Sequence, residues 1–288
     1  MNHFEKSFEA SGPITLRVEL ERGDVTLTAG EVSTTRVRLT SHDGDSNELA
    51  ESFTVEARGA EVVVLGPKGH ENAFGFGRRG SVDVEVELPS GSAVDVKTGS
   101  GDVTACGLLA RVEAVSGSGD LTFEDVDAAE LKSGSGDITA RAVLGGVKAK
   151  TGSGDITLES AGDDVDLIAG SGDIRLRRAD GEVQAKTGSG DIGIGASSGD
   201  LTLITGTGDV KLGAVAGGAV RAKTGTGDIA IAIATGVAAY LDLNTVTGDV
   251  KVDLDEADGP EGSESQASLT VHTGSGDIRV ARAKGSLS

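Results

Sequence analysis

The chain has 288 residues and a formal charge of −20, and 45 of its positions are glycine, about one in six against about one in fourteen in ordinary proteins. Glycine costs roughly 1 kcal/mol per residue inside a helix, which excludes a helical or doubly wound architecture, and four prolines without a Gly-X-Y period exclude collagen. Hydrophobic residues make up 37% but aromatics only 2%, so the core is expected to be thin and built from Val, Ile, Leu and Ala, while acidity without a basic stretch excludes nucleic acid as a partner.

The first residues, MNHFEKSFEASG, have neither a positive n-region nor an apolar h-region, and no window approaches 18 consecutive apolar residues. Neither a signal peptide nor membrane insertion is expected, and the cytoplasm is the default compartment. Residues 1–90 then read as alternating strands at Ile14–Leu20, Asp24–Thr28, Thr35–Thr40, Phe53–Ala57, Glu61–Leu65 and Val82–Leu88. Arg22-Gly23-Asp24 resembles a degenerate corner between the first two. This segment is expected to be a β cap continuous with the remainder of the chain, because exposed strand edges recruit other chains. Inside it, the stretch Gly66–Gly80 holds Phe74, Phe76, Arg78 and Arg79 in an otherwise acidic chain. Aromatic and arginine side chains make these four the candidate partner contacts, with plugging of the core end as the plainer role for the two phenylalanines.

From Gly99 onward the tetrapeptide Gly-Ser/Thr-Gly-Asp recurs, ending at Asp102, Asp120, Asp137, Asp155, Asp173, Asp191, Asp209, Asp228 and Asp277, with a shortened form at Asp249. The period stays within one residue of 18 for seven steps, and chance does not produce that. Val103, Leu121, Ile138, Ile156, Ile174, Ile192, Val210, Ile229, Val250 and Ile278 follow the aspartates as one apolar column. A second column follows about ten residues later at Val112, Leu131, Val147, Val165, Val183 and Leu201. Each unit is therefore strand, turn, strand, turn, and the fold expected over residues 91–284 is an all-β solenoid of about 18-residue coils. About ten coils at the 4.7–4.9 Å strand spacing predict a rod roughly 50 Å long.

The motif glycines are expected to supply positive φ at tight corners. The aspartates are read as structural corner residues accepting turn N–H groups, with repulsion between stacked carboxylates offset by Lys97, Lys132, Lys150, Lys186 and Lys223, five residues before them. Calcium ladders are the alternative, since other Gly-Asp repeats bind Ca²⁺, although the doubled glycine of those turns is missing here. The threonines at 98, 151, 187, 224 and 273 form a column before the corner. Residues 255–266 read as a solvated acidic loop that lengthens one spacing to 28.

Four scattered histidines have no zinc spacing, and the single Cys106 has no nearby histidine, so no catalytic residue, metal site or cofactor is expected and the chain is read as non-enzymatic. The repeats from Gly99 to Val280, together with the stretch Ser81–Gly91, resemble a bacterial family of unknown function labelled putative adhesins, especially its actinobacterial members. The resemblance implies a non-enzymatic β-solenoid acting in binding or scaffolding, with a protein partner or further copies of itself. An exported surface adhesin is the alternative, followed by a calcium-binding or carbohydrate-active β-helix.

Overall fold

A computed structural model describes residues 3–42, 48–67, 80–254 and 265–283. They form twenty-five strands and one turn of helix, α1 (Glu48–Glu51), so the fold is the all-β solenoid that the repeat predicts. The chain divides into two compact units, Met1–Ala140 and Arg141–Ser288.

The first unit contains β1 (His3–Glu9), β2 (Thr15–Arg22), β3 (Val25–Gly30), β4 (Thr34–Ser41), β5 (Thr54–Arg58), β6 (Glu61–Leu65), β7 (Val82–Pro89), β8 (Ser92–Ser100), β9 (Val103–Ser116) and β10 (Leu121–Ser133); β11 (Ile138–Val143) crosses the division. Residues 15–30 already form a solenoid coil without the full motif. β2 pairs parallel with β8, placing Val18 beside Val96, and β3 pairs parallel with the first half of β9, placing Val25 beside Val103. Arg22-Gly23-Asp24 is the corner between them.

On the other side of this coil β6 and β7 stack parallel on β2 and β3, and the pattern then turns antiparallel, with β5 closing β6 and β4 closing β7. β1, which has no counterpart among the strands expected from sequence, pairs with β4 as an outer strand. Its only large apolar residues, Phe4 and Phe8, are half-buried, so it carries little alternation to read. Glu5 pairs with Arg36 and Arg38 of β4, and Lys6 Nζ donates to the Val55 carbonyl at 2.7 Å, which fixes β1 in place.

The second unit runs β12 (Val147–Thr151), β13 (Ile156–Ala161), β14 (Val165–Ala169), β15 (Ile174–Ala179), β16 (Val183–Ser189), β17 (Ile192–Ser197), β18 (Leu201–Thr207), β19 (Val210–Val215), β20 (Gly218–Thr226), β21 (Ile229–Ile233), β22 (Ala238–Thr247), β23 (Val250–Asp253), β24 (Gln266–Ser275) and β25 (Ile278–Arg282). Even-numbered strands stack in one parallel sheet and odd-numbered strands from β13 in another. Equivalent residues lie side by side, Val165 beside Val183 and Ile174 beside Ile192. Alternate residues of both sheets point inward, and the two apolar columns are buried throughout except at Val250. Burying each such Val, Leu or Ile contributes about 1.5–3 kcal/mol, which lets a core almost free of aromatic rings hold.

Stack order departs from chain order at the far end. β24 and β25 lie directly on β20 and β21, while β22 and β23, earlier in sequence, pair on the outside of β24 and β25. The Ile229 N–H accordingly donates to the Asp277 carbonyl, and Ile278 N–H to that of Asp249, both at 2.9 Å. The 28-residue spacing thus reflects an exchanged pair of coils as well as the acidic stretch. Of that stretch, 255–264 lies outside the described residues, and Gln266 already begins β24. Val250 is 45% exposed because its coil is outermost.

Candidate binding surface

The corner aspartates form a hydrogen-bonded ladder along each unit. In the first, Asp102 N–H donates to Asp24 Oδ1, Asp120 N–H to Asp102 Oδ1 and Asp137 N–H to Asp120 Oδ1, at 2.8–2.9 Å. In the second, the amides of Asp173, Asp191, Asp209 and Asp228 each donate to the carboxylate one coil back, then Asp277 to Asp228 and Asp249 to Asp277, at 2.8–3.0 Å. The carboxylate therefore reaches across coils rather than closing its own turn. Charged acceptors make such bonds short and strong, which offsets part of the repulsion within the rank.

The rest of the offset comes from cations other than those expected. Arg175 bonds Asp155 and Asp173, Lys211 lies 3.5 Å from Asp209 and Arg279 3.5 Å from Asp277. The hydrogen bond to Asp155 holds the Arg175 guanidinium above its ordinary pKa. The five lysines named from sequence do not reach the motif aspartates: Lys97 contacts Asp95 and Glu19, and Lys132 contacts Glu130. They project from the other sheet, because five residues of extended chain and a corner separate them from the aspartates.

The glycines also have a different cause from the one expected. Most corner glycines do not have positive φ. They are required because coils approach so closely that a Cβ on Gly172 would sit 1.8 Å from the Gly154 carbonyl oxygen, and one on Gly119 equally close to that of Gly101. Beneath the corner, a buried rank of hydroxyls donates to glycine carbonyls of the neighbouring coil: Thr187 to Gly172, Thr205 to Gly190, Thr224 to Gly208 and Thr273 to Gly227, at 2.9–3.0 Å.

Phe74, Phe76, Arg78 and Arg79 lie outside the described residues. Cys106 is free and exposed within β9, beside Thr28. Among the described residues no three His, Cys, Asp or Glu side chains cluster as metal ligands, and no helix is long and apolar enough to cross a membrane.

His42, in sequence only one of four scattered histidines, meets the start of the ladder. Its Nε2 lies 2.5 Å from Asp83 Oδ2, while Asp83 Oδ1 accepts the Asp24 N–H at 3.1 Å. The hydrogen bond to Asp83, then its charge, raises the His42 pKa above 6.5. A raised folded-state pKa stabilises fully below the unfolded value and is lost as pH rises through the folded one. Melting of wild type and His42→Gln is therefore expected to differ most near pH 5.5 and to converge by pH 8.5. A constant difference across that range would exclude protonation of His42 as the cause.

The two sheets of the second unit present different chemistry. On the odd sheet Arg175, Lys211 and Arg279 pair with the ladder, Arg177 with Glu159 and Arg178 with Asp180. On the even sheet, one outward rank reads Lys150, Ile168, Lys186, Ile204, Lys223 and His272, each beside the next in register. None of its three lysines has an ion pair within 4.0 Å among the described residues. Spacing in the sequence groups these lysines but assigns them to the aspartates. Only strand pairing shows them as a rank of their own.

A repeated two-strand coil with a cross-coil aspartate ladder defines a glycine-rich β-solenoid class. Within that class the chain belongs to the family described as Toastrack DUF4097, which matches residues 14–198 and again 142–286. Among solved structures it is similar to a putative adhesin from Bacteroides fragilis (13% identity, 97% of each chain covered, TM-score 0.42). It is also similar to a putative adhesin from Parabacteroides merdae (11% identity, 97% of this chain and 96% of that chain, TM-score 0.33). A third is a protein from Parabacteroides distasonis named as a putative lipid binding protein (13% identity, 98% and 97%, TM-score 0.36). No curated protein matches the chain.

Proposed function

We propose that the chain is a non-enzymatic, adhesin-like binding or scaffolding solenoid that presents repetitive faces to a protein partner or to copies of itself. The supporting observation is the in-register stacking of the second unit, where each outward position recurs one coil on, at about 4.8 Å. A face of this kind offers one contact many times, and individually weak contacts add when the partner also repeats. In this reading residues 1–90 act as the cap and 91–284 as the displayed solenoid. In the same reading the chain resembles actinobacterial repeat members and works in the cytoplasm, with the cell surface as the alternative. Affinity purification of the tagged chain from its native host, with fractionation of the same culture, tests it. A stoichiometric protein partner in the cytosolic fraction is expected; recovery at the cell surface would favour the exported adhesin, and turnover of a substrate by the purified chain would replace the reading.

Self-association has a specific observation in its favour. The outermost coil, β22 and β23, leaves one strand edge unpaired among the described residues, and Val246 and Tyr240 on it are 82% and 74% exposed. A second copy offers the same free edge, and two such edges can pair antiparallel about a two-fold axis. Sedimentation at 0.5 M salt, where the charge of −20 is screened, is expected to show concentration-dependent dimers that Val246→Lys with Val252→Lys abolishes. A monomer at every concentration would leave only a foreign partner.

A further inference from the structure

We propose that the lysine rank on the even-numbered sheet of the second unit binds a linear acidic polysaccharide bearing one carboxylate per disaccharide. The proposal rests on the reading of the chain as a non-enzymatic binding protein and names one ligand class and one face.

Charge is the first argument. The chain carries −20 overall, yet the outward positions of the even sheet hold Lys148, Lys150, Lys186, Arg221 and Lys223 against two carboxylates, Asp166 and, on the outermost strand β22, Asp242. The nearest other acids on these strands' flanks are the turn residues Asp164, Glu182 and Asp200. They precede the rank by four extended residues, about 13 Å, beyond the Debye length at physiological salt. On the odd sheet Arg175, Lys211 and Arg279 pair with the ladder, and Arg177 and Arg178 with Glu159 and Asp180, whereas Lys150, Lys186 and Lys223 have no ion pair within 4.0 Å among the described residues.

Spacing is the second argument. Lysines occupy alternate coils, with Ile168 and Ile204 between them, so successive ammonium groups recur about every 9.6 Å at the strand spacing. One sugar ring of an extended glycan advances about 5 Å, close to one coil, so a carboxylate on every second ring meets a lysine and the ring between meets an isoleucine. Ile204 is 39% exposed and offers that ring an apolar contact.

Shape is the third. Immediately beyond the rank on the same sheet face lies a column of glycines, Gly170, Gly188, Gly206, Gly225 and Gly274, each stacked on the last. Gly170, Gly188, Gly206 and Gly225 are exposed, so bare backbone adjoins the rank and no side chain stands between it and a polymer lying on the lysines. A flat membrane meets the full negative charge of the protein, so the observations favour a narrow polymer.

The test uses the full-length protein and a hyaluronan decasaccharide as probe, with the same oligosaccharide after carboxyl reduction as control. Binding is read by titration calorimetry at 20 and 150 mM salt. The decasaccharide is expected to bind at low salt, to weaken at least tenfold on carboxyl reduction, and to weaken at least tenfold in Lys150→Gln/Lys186→Gln/Lys223→Gln. Ile204→Glu, a single exposed change, should do the same, while Lys211→Gln on the opposite sheet should not. Equal binding by wild type and the triple variant, or binding only to vesicles of phosphatidylglycerol, would overturn the assignment. If the glycan fails to bind while a native protein partner is still captured, the rank assignment falls and the binding-protein reading stands. New reducing ends generated from a glycan bound at the rank would instead sink the non-enzymatic reading and leave the rank in place.

Discussion

Replacing Gly172 by alanine is expected to destabilise the second unit by about 3 kcal/mol or more, at the upper end of what overpacking costs. The new methyl would stand 1.8 Å from the Gly154 carbonyl oxygen and 2.5 Å from its carbon. Both are backbone atoms in a hydrogen-bonded ladder, so neither can rotate aside, and the coils must separate locally. Gly193→Ala, on the outward face of β17, is the control. There the nearest atom to a Cβ is the Ile174 oxygen at 4.0 Å, and φ is not positive. That substitution is expected to be neutral or to stabilise by up to about 1 kcal/mol through the unfolded chain. Urea unfolding of the two variants measures both. Similar midpoints would show that close coil contact is not what the corner glycines serve.

Asp191→Ala is expected to cost about 1–2 kcal/mol, because it removes the acceptor of the Asp209 N–H, bonded at 2.8 Å, and leaves that amide without its partner. Asp191→Asn keeps an acceptor oxygen at the same place and removes one charge from the rank. It should cost less than the alanine, and the gap to wild type should narrow further at low salt, where repulsion between stacked carboxylates is least screened. A salt series of denaturation midpoints for the three proteins separates the hydrogen bond from the charge. Equal loss in both variants would mean that the negative charge itself is needed. Addition of a chelator to wild type is expected to leave the midpoint unchanged, since Oδ1 of each stacked carboxylate already accepts a backbone amide and no three acidic side chains cluster among the described residues; a large drop would favour the calcium alternative.

Much of the fold was legible because an 18-residue period repeats the same local instructions. Ile156, Ile174 and Ile192 follow three aspartates at equal spacing and are all fully buried; alternation within a strand and identity between coils leave one arrangement that buries them together. The corner at Arg22-Gly23-Asp24 lies outside that period and was readable only because its Gly-Asp resembles the motif. β1 was not, because Lys6 interrupts the apolar face that Phe4 and Phe8 share, and its place is set by pairing with β4 rather than by its own pattern. For the candidate surface, the lysines were visible as a column but their neighbours were not. A residue offset along the chain does not say which sheet a side chain leaves from, and the chain turns a corner between Lys186 and Asp191.

Composition and period alone determined an all-β solenoid, its inward columns and its corners, because glycine content, alternation and spacing act locally and agree at every coil. Tertiary structure alone decided three things. It showed that corner glycines answer to backbone crowding between coils. It joined each carboxylate to an amide one coil away, at 2.8 Å between Asp173 and Asp191, a bond with no signature in sequence because it spans a whole turn of the solenoid. It also placed residues 266–282 inside 238–253. Both segments carry the motif and fit the same register, so their order depends on how the finished stack closes rather than on any local preference.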